Sequence, residues 1–297
     1  MVCVHDSDGV RLSGYNKIGG VNKFFQFSGL SRKRRNRLNK AIKIQFPNIT
    51  AHNLAQDEGF FYLTDSDNIK RKVLFHEYSE IYKIPGLYEQ LFHERLKCKS
   101  TSKVTEALSY IVRQSKTNFT ELRVLDLGAG NGMMGEELRK LGCARIVGTD
   151  ILHEASEACD RDRPTVYDAY HVLDFCNLTE EQKEELENWS FDCLTTVAAL
   201  GFGDIPAKAF IEAFNVLQSE GWVAFNMKET FLDNNDITGL SVVVRELIFS
   251  EYLDMHYLER YRHRLSMEGK PLYYFSLAGR KNADVPPDFL SSIGITD

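Results

Sequence analysis

The sequence predicts an α/β fold with a doubly wound, mostly parallel sheet, and three observations lead to this prediction. From about Leu122 onward, short apolar segments alternate with segments of helical periodicity. The helical segments carry start and stop signals, such as the capping-box spacing of Thr179 and Gln182. A glycine-rich loop, residues 128–132, directly follows the first apolar segment. Such alternation places helices on both faces of a parallel sheet and a ligand at the carboxyl ends of its strands.

Each predicted element rests on its own local pattern. Strands are predicted where branched apolar residues run together, and helices where apolar residues recur three or four positions apart, as Met134, Leu138 and Leu141 do. The predicted strands span residues 122–127, 145–150, 170–175, 191–198 and 222–227. The predicted helices span residues 132–142, 153–161, 178–189 and 206–221.

Composition excludes several classes of protein. The chain has 297 residues, of which 43% are hydrophobic and 26% charged, enough for one large domain or two smaller ones. Its apolar runs stay well below the roughly 20 residues of a membrane helix, and its first residues lack a signal-peptide layout. We therefore expect a cytoplasmic protein without a membrane partner. The six cysteines are scattered without metal-ligand spacing, so we expect reduced thiols and no metal site.

Charge divides the chain into two regions. Residues 1–120 hold 20 basic against 11 acidic residues, whereas residues 121–297 hold 16 basic against 31 acidic. Within the first region, residues 31–43 contain seven basic residues and no acid, which suits a polyanion. The same pattern describes the solvated face of a short helix beginning at Ser31, and no aromatic residue interleaves the charges. We favour the solvated helix and consider nucleic acid an improbable partner.

The glycine loop has two possible frames. Read from Gly130, the letters satisfy the dinucleotide pattern G-x-G-x-x-G. In that fingerprint the first glycine directly follows the strand, which here is Gly128, and the third would fall at Met133. The loop instead places a carboxylate, Asp126, before glycines on alternate residues. Glycines in this arrangement allow the backbone to approach a ligand closely.

This stretch, "VLDLGAGNG", resembles the first motif of class I S-adenosylmethionine-dependent methyltransferases. The resemblance implies a Rossmann-like sheet of seven strands and S-adenosylmethionine as cofactor, with S-adenosylhomocysteine as product. It also implies that the loop wraps the methionine part of the cofactor, through Asp126, Gly128, Ala129, Gly130, Gly132 and Met133. Because Asp126 lies in an apolar strand, we expect loop amides or the ligand to meet its carboxylate.

Two further strand ends agree with the same family. The resemblance implies that Asp150 accepts both ribose hydroxyls and that Ile151 packs on the adenine. It likewise assigns Asp174 to the adenine amino group and Phe175 to the adenine edge. Taken singly, each aspartate also fits a helix cap or a turn.

The segment after the fourth strand bears on the acceptor. Residues 196–204, "TVAALGFGD", lack the Asn/Asp-Pro-Pro-aromatic motif of methyltransferases that modify amide or nucleobase amino groups. This motif most resembles the Williams-Beuren-region methyltransferase-like group, and Val197 within it is expected to contact the cofactor. Residues 260–281 resemble the closing hairpin of that group. Residues 76–90 resemble its cofactor-covering helix, with Tyr82 as the recurrent tyrosine but Lys83 where an acid is usual.

A general base would be needed if the acceptor carries a proton of high pKa. Candidates are Asp204, Lys228, Glu229, Tyr261 and His263, which follow strands or lie in the late hairpin. We expect His263, Tyr261 and Glu229 to be catalytic, with His263 as base because its ordinary pKa lies near neutrality. The alternative for His263 is simple alternation on a strand face.

These observations predict two regions and leave three functions open. Residues 1–100 form an aromatic and basic extension that covers the cofactor cleft, and residues 101–297 form the methyltransferase domain. The favoured function is methyl transfer to a small-molecule acceptor. The alternatives are an RNA or protein methyltransferase docking through residues 31–43 and a cofactor-binding partner without activity. No motif specifies the acceptor atom or the oligomeric state.

Overall fold

A seven-stranded sheet forms the centre of the structure, a computed structural model that describes residues 43–47, 58–64, 68–200, 204–229 and 239–295. Three sequence predictions fall partly outside these residues. They concern residues 1–42, 48–57 and 65–67 of the proposed extension, residues 31–42 of the basic segment and residues 201–203 of the fourth motif.

The described strands form two sheets. In chain order they are β1 (Lys43–Gln45), β2 (Phe60–Thr64), β3 (Lys70–Leu74), β4 (Arg123–Leu127), β5 (Arg145–Asp150), β6 (Ala169–Val172), β7 (Cys193–Thr196), β8 (Trp222–Lys228), β9 (Leu253–Leu265) and β10 (Pro271–Lys281). The large sheet has the order β6-β5-β4-β7-β8-β10-β9. Strands β4 to β8 run parallel to one another, and β10 pairs antiparallel with both β8 and β9. This arrangement confirms the predicted fold class.

The described helices are α1 (Tyr78–Tyr82), α2 (Ser100–Ser115), α3 (Met133–Leu141), α4 (His153–Asp162), α5 (Glu180–Asn188), α6 (Ala207–Val216), α7 (Leu240–Phe249) and the short α8 (Phe289–Ser292). Helices α3, α4, α5 and α6 join the parallel strands as crossover connections, and the other helices lie before β4 or after β8. A π-helix, Glu89–Arg95, and a 3-10 turn, Phe119–Glu121, precede the sheet. Helix α5 begins with the predicted capping box: Thr179 Oγ1 accepts from Gln182 N at 3.2 Å, and Gln182 Oε1 accepts from Thr179 N at 2.9 Å.

Both faces of the sheet are covered, as its apolar strands require. Successive residues of β4 illustrate the division. Val124 belongs to a core cluster with helices α2 and α3, and Leu125 belongs to a second cluster with helices α6 and α7. Helices on both faces leave the carboxyl edge of the parallel strands as the open side of the sheet.

The segment before α2 attaches to the end of the hairpin β9–β10. The small sheet β1–β2–β3 shares a core cluster with α1 and the π-helix. Lys99 N donates to His263 O at 2.8 Å, and Leu265 N donates to Leu96 O at 2.7 Å. Phe60 N donates to Met267 Sδ at 3.3 Å. These bonds join the chain before residue 100 to the hairpin, which lies far later in the sequence.

The described residues contain neither a membrane-spanning helix nor a metal-binding cluster. No helix among them combines the length and the apolar character needed to cross a membrane. No group of three or more His, Cys, Asp and Glu side chains among them could hold a metal ion.

Candidate functional site

The glycine loop lies at the carboxyl edge of the parallel strands, between β4 and α3. Its first amides are fixed by the neighbouring strand, because Gly128 N and Ala129 N both donate to Thr149 O, at 2.8 and 2.9 Å. Gly130 N donates to Asp150 Oδ2 at 3.0 Å, and Gly130 O accepts from Tyr170 Oη at 2.8 Å. The loop is thus held in one shape before any ligand binds.

Gly130 is the position where a side chain would do most harm. Its φ of +54° lies in the left-handed region, and a Cβ there would collide with the hydroxyl of Tyr82. Gly128 has a φ of +71°, and its Cβ would meet Ile205 Cδ1 at 3.0 Å. The missing side chains at Gly128 and Gly130 therefore allow Ile205 and Tyr82 to pack directly against the loop.

Three adjoining cavities lie at this end of the sheet, and the glycine loop lines two of them. The large cavity has a volume of about 280 Å³ and is lined in part by Asp150, Ile151, Asp174, Phe175 and Val197. The loop cavity, of about 30 Å³, is lined in part by Ser100, Asp126, Ala129, Gly130 and Met133. The hairpin cavity, also about 30 Å³, is lined in part by Phe75, His76, Asp204, His263, Arg264 and Tyr274.

The three cavities meet at Tyr88 and Ala198, which line all of them. Ala198 has an unusual φ of +57°, and its amide donates to the buried Asn226 Oδ1 at 2.7 Å. Backbone strain of this kind persists where surrounding structure holds it, often at functional sites. The junction is therefore the place where a reacting atom from one cavity could reach a group in another.

Asp150 occupies the predicted position at the end of β5. Its two carboxylate oxygens accept from Gly130 N and Leu152 N, each at 3.0 Å. Burial raises the pKa of Asp150, against the opposing effect of those amides. A carboxylate offers about four acceptor positions, so two remain for the hydroxyls of a ribose.

The predicted adenine-binding residues also line the large cavity. Ile151 is 60% exposed, although it is a large apolar side chain, and Phe175 is buried. Asp174 accepts from Cys176 N at 2.9 Å and from Asn177 Nδ2 at 2.7 Å, and the Asn177 bond holds its pKa below the ordinary value. These turn contacts end β6 at Val172, earlier than the predicted strand.

Asp126 is satisfied differently from the sequence expectation. Its carboxylate accepts from Tyr167 Oη at 2.6 Å and from Thr195 Oγ1 at 2.7 Å, so side-chain hydroxyls meet it instead of loop amides. Burial raises the pKa of Asp126 to about 7. Tyr167 also accepts from Gly135 N at 3.2 Å, which links Asp126 to the first turn of α3. Asp126 thus supports the loop from below.

Tyr82 lies across the glycine loop in a column of aromatic rings. Its ring stacks with that of Tyr78 at 6.1 Å and with that of Tyr88 at 5.4 Å. Tyr82 lines both the large cavity and the loop cavity. The spacing of 78 and 82 on one helix face is a sequence signal that could have predicted this column, whereas Tyr88 enters from the following turn.

Two of the three predicted catalytic residues share one buried network. Ser100 Oγ lies 2.8 Å from Tyr261 Oη and 2.6 Å from His263 Nδ1. Asn226 Nδ2 donates to Tyr261 Oη at 3.0 Å. The network runs from Ala198 at the junction to His263 at the wall of the hairpin cavity. It fixes the floor between the loop cavity and the hairpin cavity.

His263 is a weak base in this setting. Its ring is 5% exposed and stacks on Tyr274 with 3.9 Å between ring centroids. Burial lowers the pKa of His263 well below its ordinary range, and burial also raises the pKa of Tyr261. Both side chains are therefore neutral near pH 7, and their catalytic roles stay predictions.

Glu229 lies apart from the other two predicted catalytic residues. It follows β8 and accepts from Arg260 Nε and Nη2, at 2.9 and 2.7 Å. Both side chains of this pair are more than two-fifths exposed, and neither lines any of the three cavities. Glu229 therefore forms a surface ion pair with Arg260 and does not line the three cavities.

The structure reveals a polar pair that the sequence reasoning only half identified. His76 Nδ1 lies 3.0 and 3.1 Å from the two carboxylate oxygens of Asp204. Both residues line the large cavity and the hairpin cavity, and both side chains are about one-fifth exposed. Asp204 was a candidate from its position after the fourth strand. His76 begins the covering segment, but no local pattern marked it as a partner of residue 204.

A comparison with known families finds one match. Residues 125–225 match a family model described as a methyltransferase domain. This range begins in β4 and ends in β8, so it contains the glycine loop, Asp150, Asp174 and Ala198. No curated protein matches the chain.

Several solved structures resemble the chain at low identity. Magnesium protoporphyrin IX methyltransferase from Synechocystis PCC 6803 with bound S-adenosylmethionine is 12% identical, covers 61% of this chain and 79% of its own, and has a TM-score of 0.44. A S-adenosylmethionine-dependent methyltransferase from Methanosarcina mazei is 17% identical, covers 58% and 97%, and has a TM-score of 0.43. The ribosomal protein L11 methylase from Lactobacillus delbrueckii is 16% identical, covers 62% and 81%, and has a TM-score of 0.41. With TM-scores below 0.5, these structures carry no argument about the acceptor.

Proposed function

We propose that this chain, in which residues 125–225 match a methyltransferase-domain model, is a class I S-adenosylmethionine-dependent methyltransferase that transfers the methyl group to a small-molecule acceptor. The observation that carries the proposal is the meeting of three cavities at Tyr88 and Ala198. One cavity suits a nucleoside, one follows the glycine loop and the third opens toward the hairpin. A cofactor and a separate acceptor would thus approach the same point from different sides.

The residues at the strand ends fit S-adenosylmethionine, as the sequence predicted. The Asp150 carboxylate retains acceptor capacity for two hydroxyls, and Ile151 and Phe175 offer apolar surface for a base. The loop cavity, lined by the glycine loop and by Tyr82, would take the methionine part of the cofactor. When bound, the cofactor supplies an electrophilic methyl group on a positively charged sulfur.

The walls of the hairpin cavity support an acceptor of small size. Phe75, Tyr78 and Phe92 close it on the side of the N-terminal segment, and Tyr274 closes it on the side of β10. A cavity closed by aromatic side chains on two sides suits a separate small molecule better than the side chain of a folded protein or a base within a polymer. Walls on both sides also exclude water and hold the acceptor close to the junction, which is the main contribution that positioning makes to such a transfer.

The pair His76–Asp204 is our candidate for proton transfer. Asp204 accepts from Nδ1 of His76, which orients the imidazole and favours the tautomer with Nε2 as acceptor. A proton leaving the acceptor would pass to this pair. His263 is less suited because it is buried and already bonded to Ser100 through Nδ1.

The subgroup and the alternative functions rest on other parts of the chain. Membership of the Williams-Beuren-region group is our proposal for the subgroup, supported by the motifs in residues 76–90 and 260–281. An RNA or protein acceptor depends on the basic segment 31–43, of which only Lys43 is among the described residues. A cofactor-binding partner without activity would have no use for a separate cavity at the junction.

The first experiment is a calorimetric titration of the full chain with S-adenosylhomocysteine, run beside NAD. We expect binding at micromolar concentration or below for the first and none for the second. Asp150→Ala should abolish that binding, and Asp168→Ala, in which the carboxylate lies outside the cavities, is the matched control. Binding of NAD, or of neither ligand, would overturn the proposal.

A second experiment addresses the acceptor class. Methyl transfer from labelled S-adenosylmethionine should occur to small molecules from a metabolite extract after polymers have been removed by filtration. Transfer confined to the retained RNA or protein fraction would favour the alternative acceptor.

A further inference from the structure

Arg264 is a buried cation with few partners. It lies near the end of β9, its side chain is 4% exposed, and it lines the hairpin cavity. Within the described residues its guanidinium makes one hydrogen bond, from Nη1 to Leu265 O at 3.1 Å, and no carboxylate lies within ion-pair distance. The ring of Phe75 lies 5.2 Å from its central carbon.

This arrangement is costly unless something else compensates it. A guanidinium carries five N–H donors and stays charged in proteins. Burying such a charge without an anion is unfavourable, and one carbonyl with one aromatic face offsets only part of the cost. Burial lowers the pKa of Arg264, the direction expected for a desolvated cation without an acid beside it. The unmatched donors lie at the wall of a cavity, where a ligand could meet them.

The neighbouring side chains add donors rather than acceptors. The hydroxyls of Tyr78 and Tyr88, which also line this cavity, have no hydrogen-bond partner among the described residues. Burial raises the pKa of both tyrosines, so each keeps its proton and can donate. The one carboxylate among the described lining residues, that of Asp204, is engaged by His76. The polar lining around Arg264 therefore suits an anion.

We propose that the methyl acceptor carries a carboxylate group that binds Arg264 in the hairpin cavity, with Tyr78 and Tyr88 as further donors. This inference rests on the proposed function, because it assigns the acceptor of the same site. A single guanidinium offsets the single charge of a carboxylate and matches its two oxygens. A phosphate would bring more charge, and no lysine or second arginine is found among the described lining residues.

The test is a titration of the full chain, saturated with S-adenosylhomocysteine, with acetate, benzoate, benzamide and inorganic phosphate. We expect acetate and benzoate to bind and benzamide, the neutral counterpart of benzoate, to bind at least ~10-fold more weakly. Arg264→Gln should weaken benzoate by at least ~10-fold, and Arg264→Lys should retain part of the affinity. Arg260→Gln, on the same strand but in a surface ion pair, should change nothing.

A second readout does not depend on the choice of probe. Arg264→Met should leave the melting temperature of the ligand-free chain unchanged or higher, because it removes an uncompensated buried charge. A clear fall would show that Arg264 is structural and would overturn the inference.

Three other outcomes would overturn it as well. They are equal binding of acetate to the Arg264→Gln chain, no binding of acetate or benzoate, and phosphate binding more tightly than either acid. Failure of S-adenosylhomocysteine to bind would instead contradict the proposed function. The acetate titration of the ligand-free chain would still test Arg264 in that case.

Discussion

The cofactor half of the cleft, meaning the large cavity and the loop cavity, is built differently from the acceptor half, meaning the hairpin cavity. Asp126, Gly130, Asp150 and Asp174 of the cofactor half come from consecutive strand ends. The acceptor half combines residues 75–98 with residues 263–274, and Asp204 joins it from between them. Both halves take side chains from residues 75–101, but the rest of the cofactor half comes from residues 126–209, whereas the acceptor half also needs the hairpin. The comparison teaches that cofactor recognition can be altered locally, whereas acceptor recognition depends on long-range packing.

The largest expected effect is on turnover in the variant His76→Gln, which should change the acceptor half and leave the cofactor half intact. His76→Gln should lower turnover with a true acceptor by ~10²- to 10⁴-fold, because the candidate base is lost. Affinity for S-adenosylhomocysteine should not change, since Asp150 and the glycine loop are untouched. The measurements are steady-state kinetics and calorimetry, with His256→Gln, half-exposed and outside the three cavities, as control. Normal turnover in His76→Gln together with loss in His263→Gln would return the role of base to His263.

A pH effect is expected beneath the cofactor half, at Asp126. Its folded pKa of about 7 exceeds the ~3.9 of an unfolded aspartate, so between these values the folded chain binds more protons. The free energy of unfolding should therefore fall as pH rises from about 4 to about 7, by a few kcal/mol from this group. Asp126→Asn cannot ionise and should lack this component. Denaturant unfolding of both chains across that range checks it, and parallel profiles would contradict it.

A smaller effect is expected within the cofactor half at Gly130. Gly130→Ala forces a side chain into the left-handed region and against the Tyr82 hydroxyl. Its affinity for S-adenosylhomocysteine should fall ~10- to 100-fold. Gly142→Ala carries comparable backbone strain at a φ of +99° but has only Thr120 Cγ2 nearby, at 3.9 Å. That control should lose stability and keep the affinity; equal affinity losses in both variants would mean that backbone strain alone is responsible.

The smallest effect is expected outside both halves, at the start of α5. Thr179→Ala removes the capping box and should cost about 1 kcal/mol of unfolding free energy. Gln182→Glu keeps the reciprocal hydrogen bonds and should cost almost nothing. Thermal unfolding measures both, and neither variant should change ligand affinity or turnover. An altered affinity in Thr179→Ala would mean that cofactor binding depends on the start of α5, which lies outside the cofactor half.

Much of the fold was predictable because its signals are local. Branched apolar runs marked the parallel strands, Thr179 and Gln182 marked the start of α5, and Asp126, Gly128 and Gly130 marked the loop. Asp150 and Asp174 were found through the family resemblance, which assigns an acid to each of two further strand ends at the carboxyl edge of the sheet. Periodicity and turn chemistry act over a few residues, which is the range that sequence patterns display.

The rest could not be read from local patterns. The partners of Asp126 are Tyr167 and Thr195, 41 and 69 residues further along the chain. Arg264 looked like one more basic residue in "RYRHRL", since only the packing of the hairpin against the N-terminal segment buries it. Glu229 was expected in the site from its place after a strand, yet Arg260 on the neighbouring hairpin holds it at the surface.

The backbone hydrogen bonds that join residues 96–99 to residues 263–265 also set the order in which the two halves can fold during synthesis. A ribosome delivers the strand ends of the cofactor half before it reaches β9 and β10. A nascent chain that ends at Lys228 already carries the glycine loop, Asp150 and Asp174. It still lacks the strands against which residues 75–98 dock. During synthesis, the strand ends that bind the methyl donor are therefore present before the hairpin cavity, the proposed site of the acceptor, can form.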